Sequence, residues 1–284
     1  MQPRILALIG MSAALSFSTS VRADFVLFDN FDGYTPGANL VGQGPAGNTW
    51  AQTIGSPTGM VTSATSGGLA TFVGPTGPSA SYRGLSPLGL TVVNGSSAAT
   101  VFWQFQVGAT TGNNWNFVLT DVAPVDTAGS SEVQFNYDAT QGNFRARNGA
   151  LGFKNLSLDG TAAGNVLVVP GATYNVWFEI NNSADNYMVY LQSDGVIGLG
   201  SRVQVFGSDG TGGLFGFRNG AAANDLINVN FGSGNGQLAQ AIFDNIYVDT
   251  AGFNPVNPVP EPSSWAMLGL GASLLLCVRR FRRS

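Results

Sequence analysis

Glu132, Glu179 and Glu261 are the only glutamates in this 284-residue chain. Hydrolysis of a glycosidic bond needs two carboxyl groups facing the substrate, about 5–9 Å apart. Glu132 and Asp138 lie six positions apart and share a strand face, which at ~3.3 Å per residue separates them too far along it. The chain has no histidine and a single cysteine. Serine–histidine hydrolysis, zinc hydrolysis and dithiol redox chemistry are therefore excluded. Tyr/Arg pairs remain conceivable for polysaccharide elimination. No constellation meets the geometric requirements of an active site, so no catalytic residue is assigned and a non-enzymatic protein is expected. A polysaccharide-active hydrolase or lyase is the alternative.

A carbohydrate-binding surface is easier to build, because it needs only aromatic platforms with polar neighbours. Trp103, Trp115 and Tyr190, with Trp177, are the aromatics to consider as glycan contacts; core packing has the first claim on them. Arg145 and Arg147, two apart on one strand and next to Asn148, could face acidic sugars, or could belong to a solvated strand face. Asp29, Asp32 and Asp244 offer hard oxygens to a structural Ca²⁺, or cap turns through backbone donors. No other cofactor is expected. The 12 Lys+Arg stand against 16 Asp+Glu. Between Asp24 and Pro260 the count is 15 acidic to 6 basic, a difference of -9. Such a body repels phosphate backbones, so nucleic acid is not an expected partner.

The segments that must position these residues are short apolar runs between Gly, Asn, Ser, Thr and Pro clusters. Val101, Trp103, Phe105 and Val107 share one face, and so do Tyr174, Val176, Phe178 and Ile180. This period of 2 marks half-buried strands. Tyr187–Leu191 follows the polar stretch 181–186, which suits a hairpin. Further strands are expected at Phe25–Phe31, Gly68–Val73, Trp115–Asp121, Glu132–Tyr137, Asn143–Arg147, Asn165–Val169, Arg202–Phe206, Gly213–Phe217, Leu226–Phe231 and Ala241–Asp249. No helical period with caps runs for ten residues outside the termini. The expected fold is all-β, a two-sheet antiparallel β-sandwich spanning residues 24–252.

The two ends differ from this body. Arg4, the apolar run from Ile5 to Phe17 and Val21-Arg22-Ala23 have the three regions of a signal peptide over residues 1–23, with cleavage by signal peptidase between Ala23 and Asp24. Residues 253–259 read as a proline-rich extended linker, since proline fixes φ and removes a donor. Trp265–Val278 is uncharged and mostly apolar, and Arg279, Arg280, Arg282 and Arg283 follow at once. As a transmembrane helix its 14 residues span about 21 Å, short of a ~30 Å hydrocarbon core, which suits a temporary anchor in the inner membrane. The arginines would stay cytoplasmic, with the acidic body outside.

Val259-Pro260-Glu261-Pro262, the short apolar segment and the basic tail together resemble the PEP-CTERM sorting signal of Gram-negative bacteria, over residues 260–284 with Val259 before them. The resemblance implies an exported protein, cut by an exosortase near the motif and passed to the cell surface or the extracellular matrix of bacteria that make exopolysaccharide. Phe28-Asp29-Asn30-Phe31-Asp32-Gly33-Tyr34 with Trp50, the Tyr174–Ile180 and Tyr187–Leu191 pair, and Phe243-Asp244-Asn245-Ile246-Tyr247-Val248 are similar to strands of concanavalin A-like (LamG-like) jelly rolls. That resemblance implies that the first and last strands pair, bringing Asp29 and Asp32 near Asp244. It also implies polysaccharide as a partner, although the Glu-x-Asp-x-x-Glu pattern of jelly-roll glucanases is absent.

Overall fold

The computed structural model describes residues 24–54, 61–62, 70–72, 79–108, 114–122, 131–219, 224–233 and 241–259. The expected signal peptide with Ala23, the residues Pro260, Glu261 and Pro262, the apolar segment and the arginine tail lie outside the described residues. Among those that are described, no helix is long and apolar enough to cross a membrane.

Sixteen strands are described: β1 (Val26–Asp29), β2 (Ala51–Ile54), β3 (Val61–Thr62), β4 (Ala70–Phe72), β5 (Ser79–Gly84), β6 (Ala99–Val107), β7 (Trp115–Thr120), β8 (Ser131–Asp138), β9 (Asn143–Arg147), β10 (Phe153–Ser157), β11 (Thr173–Asn181), β12 (Asn186–Gln192), β13 (Val203–Gly207), β14 (Phe215–Gly216), β15 (Asn228–Ser233) and β16 (Ala241–Asp249). Every pairing between them is antiparallel. One layer runs β3-β4-β16-β6-β11-β12-β13, and the other β2-β5-β15-β7-β8-β9-β10. β10 joins them: Phe153–Asn155 pair with β9, while Leu156 and Ser157 pair with β13. β1 pairs with β16, placing Val26 opposite Val248. The first and last strands thus close one edge, which removes a template for aggregation.

The core lies between the layers, where alternation drives it. Val101, Trp103, Phe105 and Val107 of β6 are buried, and β11 sets Val176 opposite Trp103 and Tyr174 opposite Phe105. Trp103 stacks on Phe117 of β7 in the other layer, with centroids 3.9 Å apart and planes 5° from parallel. Phe105 meets Phe135 of β8 edge to face in the same way. Such aromatic pairs contribute about 0.5–1.5 kcal/mol beyond their buried area. The β11–β12 hairpin turns as its polar loop predicts, with Asp185 at φ 52°.

Several strand expectations need correction. Asn165–Val169 forms no strand: Asn165 bridges to Ser157 and Leu167 to Asn143, and the intervening chain steps from β10 to the start of β9. Gly213–Phe217 shrinks to the two residues of β14. β2, β3, β5 and β10 arise where polar or small residues gave no alternation. Residues 253–259, the expected extended linker, pack on the outer face of β6 and β11. Thr100 Oγ1 donates to Gly252 O and accepts from Asn254 N, and the Asn254 amide donates to Asp249 Oδ2 at 2.9 Å.

Candidate functional site

Antiparallel register places Asn116 opposite Asn136, Asn136 opposite Arg145, and Arg145 opposite Asn155, across β7, β8, β9 and β10. These residues alternate with the core positions Phe117, Phe135 and Phe144, so they line the outer face of their layer. Asn136 donates to Asn116 Oδ1 at 2.8 Å and accepts from both Nε and Nη2 of Arg145, at 2.8 and 2.6 Å. Arg145 Nη1 meets Asp138 Oδ2 at 2.6 Å, and the guanidinium lies 5.0 Å from the Phe153 ring centroid. The Arg145 charge is therefore fully engaged.

Arg147 is different. Its Nε donates to Gly149 O at 3.0 Å, while its terminal nitrogens have no hydrogen-bond partner among the described residues. It faces the Phe153 ring at 5.5 Å. Burial lowers its pKa, and the like charge of Arg218, delivered by the turn after β14, lowers it further. Arg218 is half-buried and makes no ion pair among the described residues. Two like charges thus lie near each other on this face, and neither makes an ion pair among the described residues. Glu132, close by on β8, is turned to Asn219, accepting from its side chain at 2.7 Å and its backbone N–H at 3.1 Å. Burial raises the Glu132 pKa despite those bonds, and Asp121 and Asp185 add to the rise.

The other sequence candidates separate clearly. Trp103 and Trp115 are not glycan contacts; both are 1% exposed or less, because their parity on β6 and β7 turns them into the core. Trp177 is fully buried too, under the C-terminal strap. Tyr190 is half-buried, and one face of its ring is covered by the Arg202 guanidinium, 3.6 Å from the centroid and ion-paired with Glu179. Asp138 stays on the face of Glu132 and is bound to Arg145.

Asp29, Asp32 and Asp244 do come near one another, since the negative charges of Asp32 and Asp29 both raise the Asp244 pKa. They do not fit a calcium ion. Asp29 Oδ2 takes Arg83 Nη1 at 2.6 Å, Trp50 Nε1 at 2.8 Å and the Tyr34 hydroxyl, and Oδ1 takes the Phe31 N–H. Asp32 accepts from the Asn30 amide at 2.7 Å. Among the described residues no group of three or more acidic, histidine or cysteine side chains could hold a metal. Arg83 and Arg218 carry no sequence signal for these roles; register and a distant turn bring them in.

Residues 258–283 match the PEP-CTERM protein-sorting motif, which implies processing by an exosortase and sorting of an exported protein to the cell surface. The chain is thus an all-β antiparallel protein carrying a C-terminal sorting motif. Among solved structures it is similar to a sialidase, at 15% identity and TM-score 0.47, covering 80% of this chain and 18% of that one. It is also similar to lectin II from Ulex europaeus, at 13% identity and TM-score 0.44, covering 78% and 97%. A third is the catalytic domain of a glycoside hydrolase family 131 protein from Coprinopsis cinerea, at 8% identity and TM-score 0.45, covering 84% and 98%. No curated protein matches the chain.

Proposed function

We propose that the folded body is a non-enzymatic cell-surface or matrix component that holds acidic exopolysaccharide. The observation that carries this reading is the Arg147–Arg218 pair, two half-buried like charges that make no ion pair among the described residues, on a body that is otherwise acidic. An anionic sugar would relieve their repulsion, with the free Arg147 nitrogens as charge-assisted donors. Phe153 offers an apolar surface beneath, and Asn155 and Asn116 offer polar neighbours. Affinity electrophoresis through gels containing polygalacturonate or dextran tests it. Polygalacturonate is expected to retard the protein while dextran does not, and the double variant Arg147→Gln, Arg218→Gln is expected to lose the retardation. Equal mobility in both gels would sink the idea.

Glu132 supports a second reading as a polysaccharide-active enzyme, since a carboxyl raised by burial on the same face suits a general acid. Release of reducing ends or unsaturated products from polygalacturonate, lost in Glu132→Gln, would establish it and displace simple binding.

A further inference from the structure

A cavity of about 200 Å³ opens on the outer face of the opposite layer, lined by Gln104, Phe105, Gln106, Thr173, Ile242 and Asp244. It exists because β16 bulges against β6 between Asp244 and Tyr247. Within the bulge Asn245 takes φ 52°, and its amide donates to Gln104 Oε1 at 2.7 Å and to Asp244 Oδ2 at 2.9 Å. Gln104 in turn donates to Asn175 Oδ1 at 2.9 Å. The wall is therefore a fixed chain of amides ending in a carboxyl.

The wall leaves open the Asp244 carboxyl as an acceptor, alongside amide and hydroxyl groups that can donate or accept. Among the described residues Asp244 receives only the Asn245 N–H and amide, leaving about half of its lone-pair sites open. Gln106 donates one amide N–H to Gly171 O, and its Oε1 accepts no hydrogen bond among the described residues. Among the described residues the charged and titratable groups facing Asp244 are Asp32, Asp29 with its partner Arg83, and Tyr247, with no unpaired cation among them. Burial with those charges pushes the Asp244 carboxyl up to about 7.

We infer that this cavity binds a small hydroxylated ligand bearing a primary ammonium group, such as a hexosamine with a free amine, with the ammonium against Asp244 and hydroxyls toward Gln106 and Thr173. The inference is independent of the acidic-polysaccharide reading, which concerns the other layer. The ammonium supplies the missing counter-charge, and its binding forces the Asp244 carboxyl to ionise and shed its proton.

Calorimetry on the protein from its native envelope, with glucosamine, N-acetylglucosamine and glucose as probes, tests this. Near pH 6 glucosamine is expected to bind at least about tenfold more tightly than either neutral sugar, because only it makes the charge-assisted contact. Repeating the titration in buffers of different ionisation heat should show a proton released. Asp244→Asn should abolish both the preference and the release, and Thr173→Val should weaken glucosamine while keeping the release if the first variant fails to fold. Equal affinity for the three sugars, no binding, or binding without proton release would overturn the assignment.

Discussion

Trp177 on β11 donates its indole N–H to the carbonyl of Val256, 3.1 Å away and 79 residues later in sequence. That bond, with the Asn254 contacts, straps the proline-rich segment onto the sheet. The sorting motif at 258–283 therefore starts two positions after a fixed point on the folded body. The Trp177 ring also packs edge to face on Phe102, at 5.0 Å, so the strap covers aromatic surface that would otherwise meet water.

Trp177→Phe keeps most of that apolar contact and removes the donor. It is expected to cost about 1 kcal/mol, the usual net value of one such bond, and to speed proteolytic nicking of residues 252–259. Urea unfolding and limited proteolysis measure the two effects. An unchanged nicking rate would mean that the indole bond does not hold the strap.

Asp29→Asn leaves the Arg83 guanidinium buried without its carboxylate, and Arg83 is 2% exposed. Breaking a buried pair from one side costs about 3–5 kcal/mol. Denaturant unfolding of this variant should therefore show a far larger loss than Lys154→Ala, whose partner Asp209 is solvent-exposed.

Asp244 gives stability a pH signature. Its folded pKa of about 7 exceeds the unfolded carboxylate value, so the native state binds more protons between the two. Stability from this group is full below about pH 4 and falls as pH rises toward about 7. Asp209 and Asp159 are shifted the other way, and their contribution is lost only as pH falls below the ordinary carboxylate range. Between about pH 5 and 8, unfolding free energy should decline in the natural protein and decline less in Asp244→Asn.

Arg147→Gln removes one of two like charges that repel. Thermal stability should hold or rise slightly, while retardation by polygalacturonate at low salt falls. Raising salt should weaken binding of the natural protein, since exposed charge interactions are screened over about 10 Å at 0.1 M. Retardation that ignores salt would point away from the arginine pair.

Much of the central sheet is legible in the sequence, because β6, β11, β12 and β16 alternate apolar and polar residues strictly enough to mark a buried face. The same parity already assigns Trp103 to the core, since it shares a face with Val101, Phe105 and Val107. β5 is not legible: Ser79–Gly84 offers little apolar pattern, and its place is set by pairing with β15 and by Arg83 reaching Asp29. Asn165–Val169 misleads in the opposite direction, with an apolar run whose Leu167 and Val169 face water. At the candidate site Arg147 is visible as a residue type, whereas Arg218 lies 71 positions away and only the turn after β14 brings it near.

Everything assigned to the body presupposes that both apolar ends are removed on the way out. Intact mass of the protein isolated from its native envelope reports both cuts together. A chain starting at Asp24 and ending near Pro260–Pro262 is expected, and replacing Pro260-Glu261-Pro262 with alanines should leave the tail uncut in the inner membrane. A mature product that runs from Met1 to Ser284 would contradict the account.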